Sequence, residues 1–443
     1  MLRETIIYRL LLTNATLLFI LEEREVFAVK RLLCLLLCAL CLCACGVTEE
    51  APLPTEEPAE MAVYETVTWA DIEAIPIAND QMTEEELRQI CVDFFRLQLS
   101  FQWTPKENFT YQIVTYEKPN LFSSGTVYAG CPYLSPSPFG NLYVVMDYYD
   151  SETGILDNTT MSNQEFAERI GNECCTSPAW AWTRVVSSVV DFNNNFLTPF
   201  YGFPTVGDYI CSPTRWADGS NTVAVCEENG EAVIYEAYAQ CKPADLLLHH
   251  YGEAKNSHVR MVAAEPVVVR REDGSIDPDE SYLVQLHQTS TASEQTVAGY
   301  QVIAQGGIDE ISTFRELYKE SYLPFTFPEF TGELPVAPVE LRLSFGERES
   351  ITLQDLRTGM IRCNYFISHA IVTLADEKGN TVLEKSYYPV SGIDARRRLY
   401  TAKIAEDPQV QALLEDRDLT MTIACRVSTG QLLTAWTGSF IKS

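Results

Sequence analysis

An apolar segment that begins just after two adjacent cysteines constrains the fold most. Cys174 and Cys175 precede Ser177-Pro178, which is typical of a helix start because serine caps the first turn and proline is tolerated at its first position. The predicted helix from Ala179 to Val190 is apolar on most faces. Helices of this kind are buried, so we expect this one at the centre of a core.

The position of the cysteine pair allows two interpretations. The positive end of a helix lowers the pKa of a nearby thiol and makes a thiolate available at neutral pH. Unpaired cysteine is also among the most buried residue types, so the pair can instead be two small residues in a turn. A nucleophilic role and a structural role both remain open on this segment alone.

The N-terminal part has the layout of a secretory signal. An apolar run, residues 32–44, follows Lys30-Arg31 and is too short to span a bilayer, which takes about 20 residues. Its end, Leu42-Cys43-Ala44-Cys45, resembles a bacterial lipobox. The resemblance implies cleavage before Cys45, lipidation of that residue and attachment to the outer face of the plasma membrane; a plain secretory signal is the alternative. Residues 1–28 fit no part of a signal, and we interpret them as a mis-assigned start.

The charge of the chain limits its partners. Residues 45–66 are rich in Glu and Pro, which predicts a disordered tether. The full chain has 32 basic and 61 acidic residues, a formal net charge of −29. Such a field repels nucleic acid and anionic headgroups, so we expect no nucleic-acid partner and a lipid anchor rather than a basic membrane-binding patch.

The cysteine count favours free thiols. The chain has 14 cysteines, and those that follow Cys45 are odd in number and show no CxxC or CxxH spacing. This argues against a zinc site and against a complete disulfide framework. We predict no metal, no cofactor and at least one free thiol.

Local signals predict several elements around the cysteine pair. Capping boxes at 83–86 and 162–165 predict an amphipathic helix that ends near Trp103 and a short helix that ends near Ile170. The other predicted elements are an irregular segment at 191–230, a helix at 231–240, a turn into a strand at 243–250, a strand at 258–270, a hairpin-type turn at 273–274 and a strand at 281–289.

A cysteine at a helix start followed by strands that carry histidine is the papain-like order, and over about residues 128–289 the chain resembles the NlpC/P60-type cysteine peptidases of bacterial cell walls. Their pattern is a Gly-x-Pro-Tyr turn, Asp-Cys-Ser-Gly opening a helix, Pro-Gly-Asp-Leu leading into a strand, His-Val on the next strand and a third polar residue. The matching segments are Gly130-Cys131-Pro132-Tyr133, Glu173-Cys174-Cys175-Thr176, Pro243-Ala244-Asp245-Leu246 and His258-Val259, with Gln285, His287 or Gln288 as the third polar residue. The Ser-Gly after the nucleophile is missing, and Ala244 replaces the glycine.

The resemblance implies a Cys-His mechanism. Cys174 falls in the nucleophile position when counted back from Trp180-Ala181-Trp182, and Cys175 is the alternative. His258 fits best among the five histidines as the base that takes the thiol proton and later protonates the leaving amine.

Further roles are implied for residues around this pair. His287 would orient the His258 imidazole, and Gln285 and Gln288 are the alternatives. Tyr133 would bind substrate and supply a hydrogen-bond donor near the oxyanion.

The C-terminal part has a different pattern. Residues 329–338 carry Pro and Gly and predict a linker. Apolar residues then alternate with other residues at 339–345, 370–374 and 419–427, as in half-buried strands. We expect 339–443 to form an all-β, immunoglobulin-like sandwich.

These predictions together give an α+β chain in which a papain-like domain at 67–328, with an N-terminal helical extension, precedes the sandwich. The predicted function is a lipid-anchored extracytoplasmic cysteine peptidase or amidase acting on peptide bonds of cell-wall (peptidoglycan) or related peptides. Two alternatives stay open: a catalytically inactive papain-like binding module, and a surface lipoprotein with structural cysteines.

Overall fold

The helix after the cysteine pair lies at the centre of the core. In the computed structural model it spans Thr176–Trp182, and all seven of its residues are buried. It packs against the long helix Glu84–Ser100 and against the strands that begin at His258 and Tyr282. The burial predicted for this helix is confirmed.

The start of this helix differs from the prediction. Ser177 is not its cap, because the helix begins at Thr176 with Cys175 in the cap position. The Ser177 hydroxyl accepts a hydrogen bond from the buried Gln98 side chain, and the Ser177 N–H already donates to the Glu173 carbonyl at 2.9 Å. The cysteines are therefore joined directly to the first helical turn.

The helix ends at Trp182, whereas the sequence predicts a continuation to Val190. β-Branched residues such as Thr183 and Val186 follow, and these lower helix propensity. The chain continues in turns, and the Val186 N–H donates to the Trp182 carbonyl at 2.8 Å. Residues 189–190 lie outside the described part of the chain.

The structure describes residues 66–111, 120–133, 140–188, 203–211, 222–250, 257–297, 300–346, 348–389, 395–416 and 418–440. The helices in these ranges are Trp69–Ala74, Glu84–Ser100, Leu142–Met146, Asn163–Ile170, Thr176–Trp182, Thr222–Asn229, Glu231–Tyr238, Phe314–Lys319, Pro328–Thr331, Leu353–Thr358, Ala402–Ala405 and Pro408–Asp416, with a 3₁₀ helix at Ala395–Arg397. The strands are β1 Gln102–Pro105, β2 Phe109–Tyr111, β3 Asn120–Phe122, β4 Tyr128–Ala129, β5 Tyr149–Asp150, β6 Ile155–Leu156, β7 Leu246–His249, β8 His258–Val262, β9 Tyr282–Val297, β10 Tyr300–Thr313, β11 Leu323–Phe325, β12 Leu341–Leu343, β13 Ser350–Ile351, β14 Met360–Cys363, β15 Ile367–Ala375, β16 Thr381–Tyr387, β17 Arg398–Tyr400, β18 Thr420–Val427 and β19 Leu432–Phe440. The predicted signal region, the lipidation site Cys45 and the tether up to residue 65 lie outside the described residues. Within the described ranges, no helix is long and apolar enough to cross a membrane.

Two predicted helix starts are confirmed. Thr83 and Glu86 form a reciprocal capping box before Glu84–Ser100, and Ser162 and Glu165 form another before Asn163–Ile170. The prediction of an irregular segment at 191–230 is wrong at its end, because Thr222–Asn229 is helical.

A nine-stranded sheet carries most of the candidate residues. Its strand order is β11-β7-β8-β9-β10-β4-β1-β6-β5, and β7 to β10 are consecutive antiparallel neighbours. β8 ends at Val262 and not at Arg270 as predicted, since Pro266 has no N–H to donate to a ladder. β9 is longer than predicted and pairs with β10 in a hairpin that the sequence patterns do not indicate.

The C-terminal part contains two smaller sheets, β12-β14-β17 and β13-β19-β18-β15-β16. The all-β prediction for 339–443 is wrong because this part also contains helices. One of them, Leu353–Thr358, begins at a capping box formed by Thr352 and Asp355. The α+β class of the chain is confirmed.

The C-terminal part contacts the central helix directly. The Phe366 ring packs edge-on against Trp180, with ring centroids 5.4 Å apart. The Ser428 hydroxyl donates to the Thr183 carbonyl at 2.9 Å, and the Tyr143 hydroxyl donates to the Ser428 carbonyl at 3.2 Å. Residues Val63–Ser443 accordingly form one compact unit.

Candidate active site

Two turns pair and bring Tyr133 next to Cys174. Tyr133 forms a parallel bridge with Asn172, and the Asn172 N–H donates to the Pro132 carbonyl at 3.0 Å. The preceding turn contains Gly130 at φ +82°, a left-handed conformation that glycine adopts without strain. The Gly-x-Pro-Tyr segment therefore lies against the segment that carries the cysteines.

The cysteine turn is fixed by side-chain hydrogen bonds. The Asn172 side-chain oxygen accepts a hydrogen bond from the Glu173 N–H at 2.9 Å and another from the Thr176 hydroxyl. The Thr176 hydroxyl oxygen in turn accepts from the Glu173 N–H at 3.1 Å. This network encloses Cys174 and Cys175 on both sides and limits their freedom.

The two thiols have different surroundings. Their sulfur atoms are 3.8 Å apart, and the Cys174 thiol contacts the Ser257 carbonyl at 3.9 Å. Cys174 is 5% exposed and Cys175 is 1% exposed. The hydrogen bond with Cys174, together with burial, raises the pKa of the Cys175 thiol well above its ordinary range. Cys175 therefore stays protonated, while Cys174 faces the residue that precedes His258.

Tyr133 adds a phenol to this site. Its hydroxyl is hydrogen-bonded with the Cys174 side chain. Burial first, and then the nearby Cys174 and Glu173, raise the pKa of Tyr133. The phenol therefore remains protonated beside the Cys174 sulfur.

Three side chains from neighbouring strands form a hydrogen-bonded row. His258 on β8 contacts His287 on β9 through Nε2 and Nδ1 at 3.0 Å, with the two rings 5.0 Å apart and nearly perpendicular. His287 Nε2 contacts the carboxylate of Glu310 on β10 at 2.7 Å. The row thus joins the predicted base, the predicted orienting residue and a carboxylate.

The electrostatics keep this row uncharged at one end and anionic at the other. Burial, followed by repulsion from His287, Arg260 and His249, lowers the pKa of His258 well below its ordinary range. The hydrogen bond with His287 is the main cause that lowers the pKa of Glu310. At neutral pH His258 is therefore an uncharged imidazole and Glu310 a carboxylate.

No hydrogen bond joins Cys174 to His258 among the described residues. The Nε2 atom of His258 is engaged by His287, and its Nδ1 atom has no hydrogen-bond partner in the described part of the chain. Nδ1 is therefore the ring nitrogen of His258 that is left to accept a proton.

The alternative third residues lie elsewhere. The Gln285 amide donates to the Ser312 hydroxyl, and the Gln288 amide donates to the Cys131 carbonyl at 2.5 Å. Both are buried, and neither contacts His258 through a hydrogen bond. Of the three predicted candidates, His287 is the one that lies against His258.

Two other histidines lie close by but are held by other groups. His249 Nδ1 donates to the Glu320 carbonyl, and His250 Nδ1 is hydrogen-bonded with the Ser257 hydroxyl. In the described ranges, no group of three or more His, Cys, Asp or Glu side chains is arranged to hold a metal ion. None of the nine cysteines after Cys45 is joined in a disulfide in the described structure.

The Pro-Ala-Asp-Leu segment is hydrogen-bonded to the helix that follows the cysteines. Ala244 adopts φ +66°, a left-handed conformation at the position where the peptidase pattern has glycine. Its carbonyl accepts a hydrogen bond from the Trp182 indole at 2.8 Å, which ties this turn to the central helix. The next residue, Asp245, is buried and paired with Arg88 at 2.7 Å. Asp245 therefore has a structural partner and does not reach the cysteines.

Glu310 is the member of the row that the sequence patterns did not indicate. It lies 23 residues after His287, in a strand that lacked a clear alternating pattern. The available signal was Gly306-Gly307, a glycine pair inside a strand, which often marks a bulge or a close approach.

No protein-family model, no curated protein and no solved structure matches this chain significantly.

Proposed function

We propose that this chain is a lipid-anchored extracytoplasmic cysteine peptidase or amidase, built on an NlpC/P60-like papain-type domain, that cleaves peptide bonds of cell-wall or related peptides. The hydrogen-bonded pair His258 and His287, next to Cys174 whose thiol contacts the Ser257 carbonyl, carries the proposal. His258 is held through Nε2 by His287 at 3.0 Å, so its Nδ1 is left for the thiol. This is the arrangement that a base needs when a third group orients it.

The reaction begins with attack by the Cys174 sulfur on the substrate carbonyl carbon, while the thiol proton passes to Nδ1 of His258. The imidazolium then gives this proton to the amine nitrogen, the C–N bond breaks, and a thioester remains on Cys174. Water, deprotonated by His258, attacks the thioester and releases the acid together with the free thiol. Each proton taken up by His258 is returned, so the cycle needs no cofactor.

Tyr133 is suited to the charge that forms during this reaction. Its protonated hydroxyl lies beside the Cys174 sulfur, and we propose that it donates to the substrate oxygen that becomes negatively charged when this sulfur attacks the carbonyl carbon. A donor aimed at this position stabilises the transition state more than the substrate.

Two features of the backbone support a papain-like domain of this family. Ala244 keeps a left-handed conformation where the family has glycine, and the Gly130–Tyr133 turn lies against the cysteine turn. For the C-terminal part we propose an immunoglobulin-like sandwich with added helices, since its two sheets have apolar residues on their buried faces.

The proposed location rests on the lipobox-like sequence that ends at Cys45. Cys45→Ala should release the protein from the membrane fraction or leave an uncleaved precursor, as seen by fractionation and mass spectrometry. Unchanged processing and membrane attachment would refute lipidation.

A second candidate function, an inactive binding module for wall peptides, is favoured by one observation. Cys174 is 5% exposed and has no hydrogen bond to His258 within the described residues. Such a thiol can be reactive only if the substrate aligns the pair, as happens in enzymes whose catalytic hydrogen bonds tighten on binding.

Thiol labelling and peptide cleavage separate these functions. Rapid labelling of Cys174 by iodoacetamide at pH 7, slowed in His258→Ala, is expected for a peptidase. Cys174→Ser and His258→Ala should each lower hydrolysis of wall peptides by about 10²–10⁴-fold, which is the usual contribution of a general base.

Cys175→Ser is the matched control and should retain most of the activity. An inactive Cys175→Ser variant would show that Cys175, and not Cys174, is the nucleophile. If no peptide is cut, peptide binding by the purified protein would support the binding module, and absence of binding would leave the structural-cysteine alternative.

A further inference from the structure

Glu310 is placed at His287 by a defect in the β9–β10 ladder. Gly307 lies opposite His287, but Glu310 lies opposite Gln285, so β10 contains one extra residue between these two pairs. Asp309, inside this bulge, has φ +52°, a left-handed conformation that aspartate tolerates better than most residues. In a regular ladder Asp309 would take the place of Glu310. Bulges of this type re-aim side chains and are common next to active sites.

The bulge is held by an ion pair on its outer side. The Asp309 carboxylate accepts a hydrogen bond from Arg96 on the helix Glu84–Ser100 at 2.8 Å. Asp309 therefore faces the long helix while its neighbour Glu310 faces the histidine.

Gly307 leaves the space that the histidine and the carboxylate occupy. A Cβ atom at this position would lie 2.6 Å from Nε2 of His287 and 2.7 Å from the carboxyl carbon of Glu310. Both distances are shorter than Cβ contacts in proteins, so the imidazole or the carboxylate would have to move. The glycine and the bulge are two separate features that serve the same 2.7 Å hydrogen bond.

The carboxylate determines which nitrogen atoms carry protons. An ionised Glu310 is only an acceptor, so Nε2 of His287 must hold the proton between them. With a single proton, placed on Nε2, His287 has a bare Nδ1, which can only accept, so Nε2 of His258 must donate to it. Because burial keeps His258 uncharged, its own Nδ1 is left unprotonated.

We propose that Glu310 is a positioning residue that fixes both histidines in the tautomers that leave Nδ1 of His258 free to take the proton of Cys174. This inference rests on the proposed function and adds Glu310 to the Cys174, His258 and His287 that the function uses. The other charged or titratable groups near the row are Arg260 and His249. The Arg260 side chain donates to the Tyr322 hydroxyl at 2.9 Å and to Ser312 and Glu320, and the His249 ring donates to the Glu320 carbonyl. Glu310 is thus the carboxylate that contacts His287.

The test uses the purified protein labelled with [¹⁵N]histidine, since the chain has five histidines and their ring nitrogens can be assigned by single substitutions. Long-range ¹H–¹⁵N spectra at pH 7 should show His258 and His287 each as the Nε2–H tautomer. In Glu310→Ala, His287 should become a tautomer mixture. Iodoacetamide labelling of Cys174 should slow by about tenfold, a smaller effect than His258→Ala has in the same assay, because the base itself is still present.

Two further variants keep the test decisive. Glu310→Gln retains a neutral acceptor and should preserve the tautomers with a smaller loss of rate; it also replaces the alanine variant if that one does not fold. Asp309→Asn is the matched control, since it removes one negative charge from the same bulge, tolerates the left-handed conformation and does not contact His287.

The outcomes separate this inference from the proposed function. A wild-type His287 protonated on Nδ1, or an unchanged tautomer pattern and labelling rate in Glu310→Ala, would overturn the role of Glu310. An equal effect of Asp309→Asn would overturn it too, because the cause would then be the bulge. If the tautomers shift as expected but Cys174 is unreactive in the wild type, the role of Glu310 stands and the peptidase proposal fails.

Discussion

Replacing Arg88 by methionine should lower the free energy of unfolding by about 3–4 kcal/mol at pH 7. Arg88 and Asp245 are 4% and 1% exposed and form an ion pair at 2.7 Å. Removing one partner of a buried pair costs roughly 3–5 kcal/mol because the other charge is left buried. The loss has an upper limit, since Asp245 can take up a proton instead. Protonating an ordinary carboxyl at pH 7 costs about 1.4 kcal/mol for each of roughly 3 pH units, or about 4 kcal/mol.

This limit gives the prediction a pH dependence. Burial already raises the pKa of Asp245 in the presence of Arg88, and loss of Arg88 should raise it further. The folded variant then binds a proton that the unfolded chain releases, so its stability falls as the pH rises toward the raised pKa. From pH 7 down to pH 5 the deficit relative to the wild type should therefore shrink, by up to about 2.7 kcal/mol.

Urea unfolding followed by tryptophan fluorescence at both pH values measures these differences. Arg96→Met is the matched control on the same helix, and its partly exposed ion pairs should contribute less than about 1 kcal/mol. The double variant Arg88→Met/Asp245→Asn should recover much of the loss. Equal losses for the two arginine variants, or a deficit that does not shrink at pH 5, would refute the reasoning.

Three further predictions concern the candidate site. Gly307→Ala should slow labelling of Cys174 by at least several-fold, because the new Cβ would lie 2.6 Å from Nε2 of His287; a rate equal to that of the wild type would show that the contact is dispensable. Peptide cleavage should persist below the ordinary histidine range as the pH falls, since the lowered pKa of His258 keeps it neutral there, and a pH–rate profile that drops near pH 6.5 would contradict this. Tyr133→Phe should lower kcat by about 10²–10³-fold, the usual cost of losing one oxyanion donor, with little change in melting temperature; a change in KM alone would assign Tyr133 to substrate binding.

Local chemistry made parts of the fold predictable. The capping boxes at Thr83 and Ser162 need only residues three positions apart, and both occur as expected. The burial of Thr176–Trp182 follows from composition alone, because a helix without a polar face has no stable position at a surface. The start of β8 at His258 agrees with the turn-rich sequence before it.

Long-range pairing set the limits of sequence prediction. Ser177 looks like a helix cap, but Gln98, far away in the chain, engages its hydroxyl. Glu310 reaches His287 only because β10 pairs with β9 and carries a bulge, and neither follows from a local pattern. Gln285 and His287 point to the same face of β9 and Gln288 to the other, so the choice of His287 depends on the register that places it nearer to His258 on β8.

The contact between Phe366 and Trp180 has a consequence for the order in which parts of the protein can fold during synthesis. Trp180 belongs to the helix that follows the cysteine pair, and its ring is covered by a residue almost two hundred positions later. Ser428 completes the same junction by donating to the Thr183 carbonyl. A nascent chain that has emerged only as far as the last strand of the large sheet still has this side of the helix open to water. The helix behind Cys174 therefore reaches its final packing only after residue 428 has been synthesised.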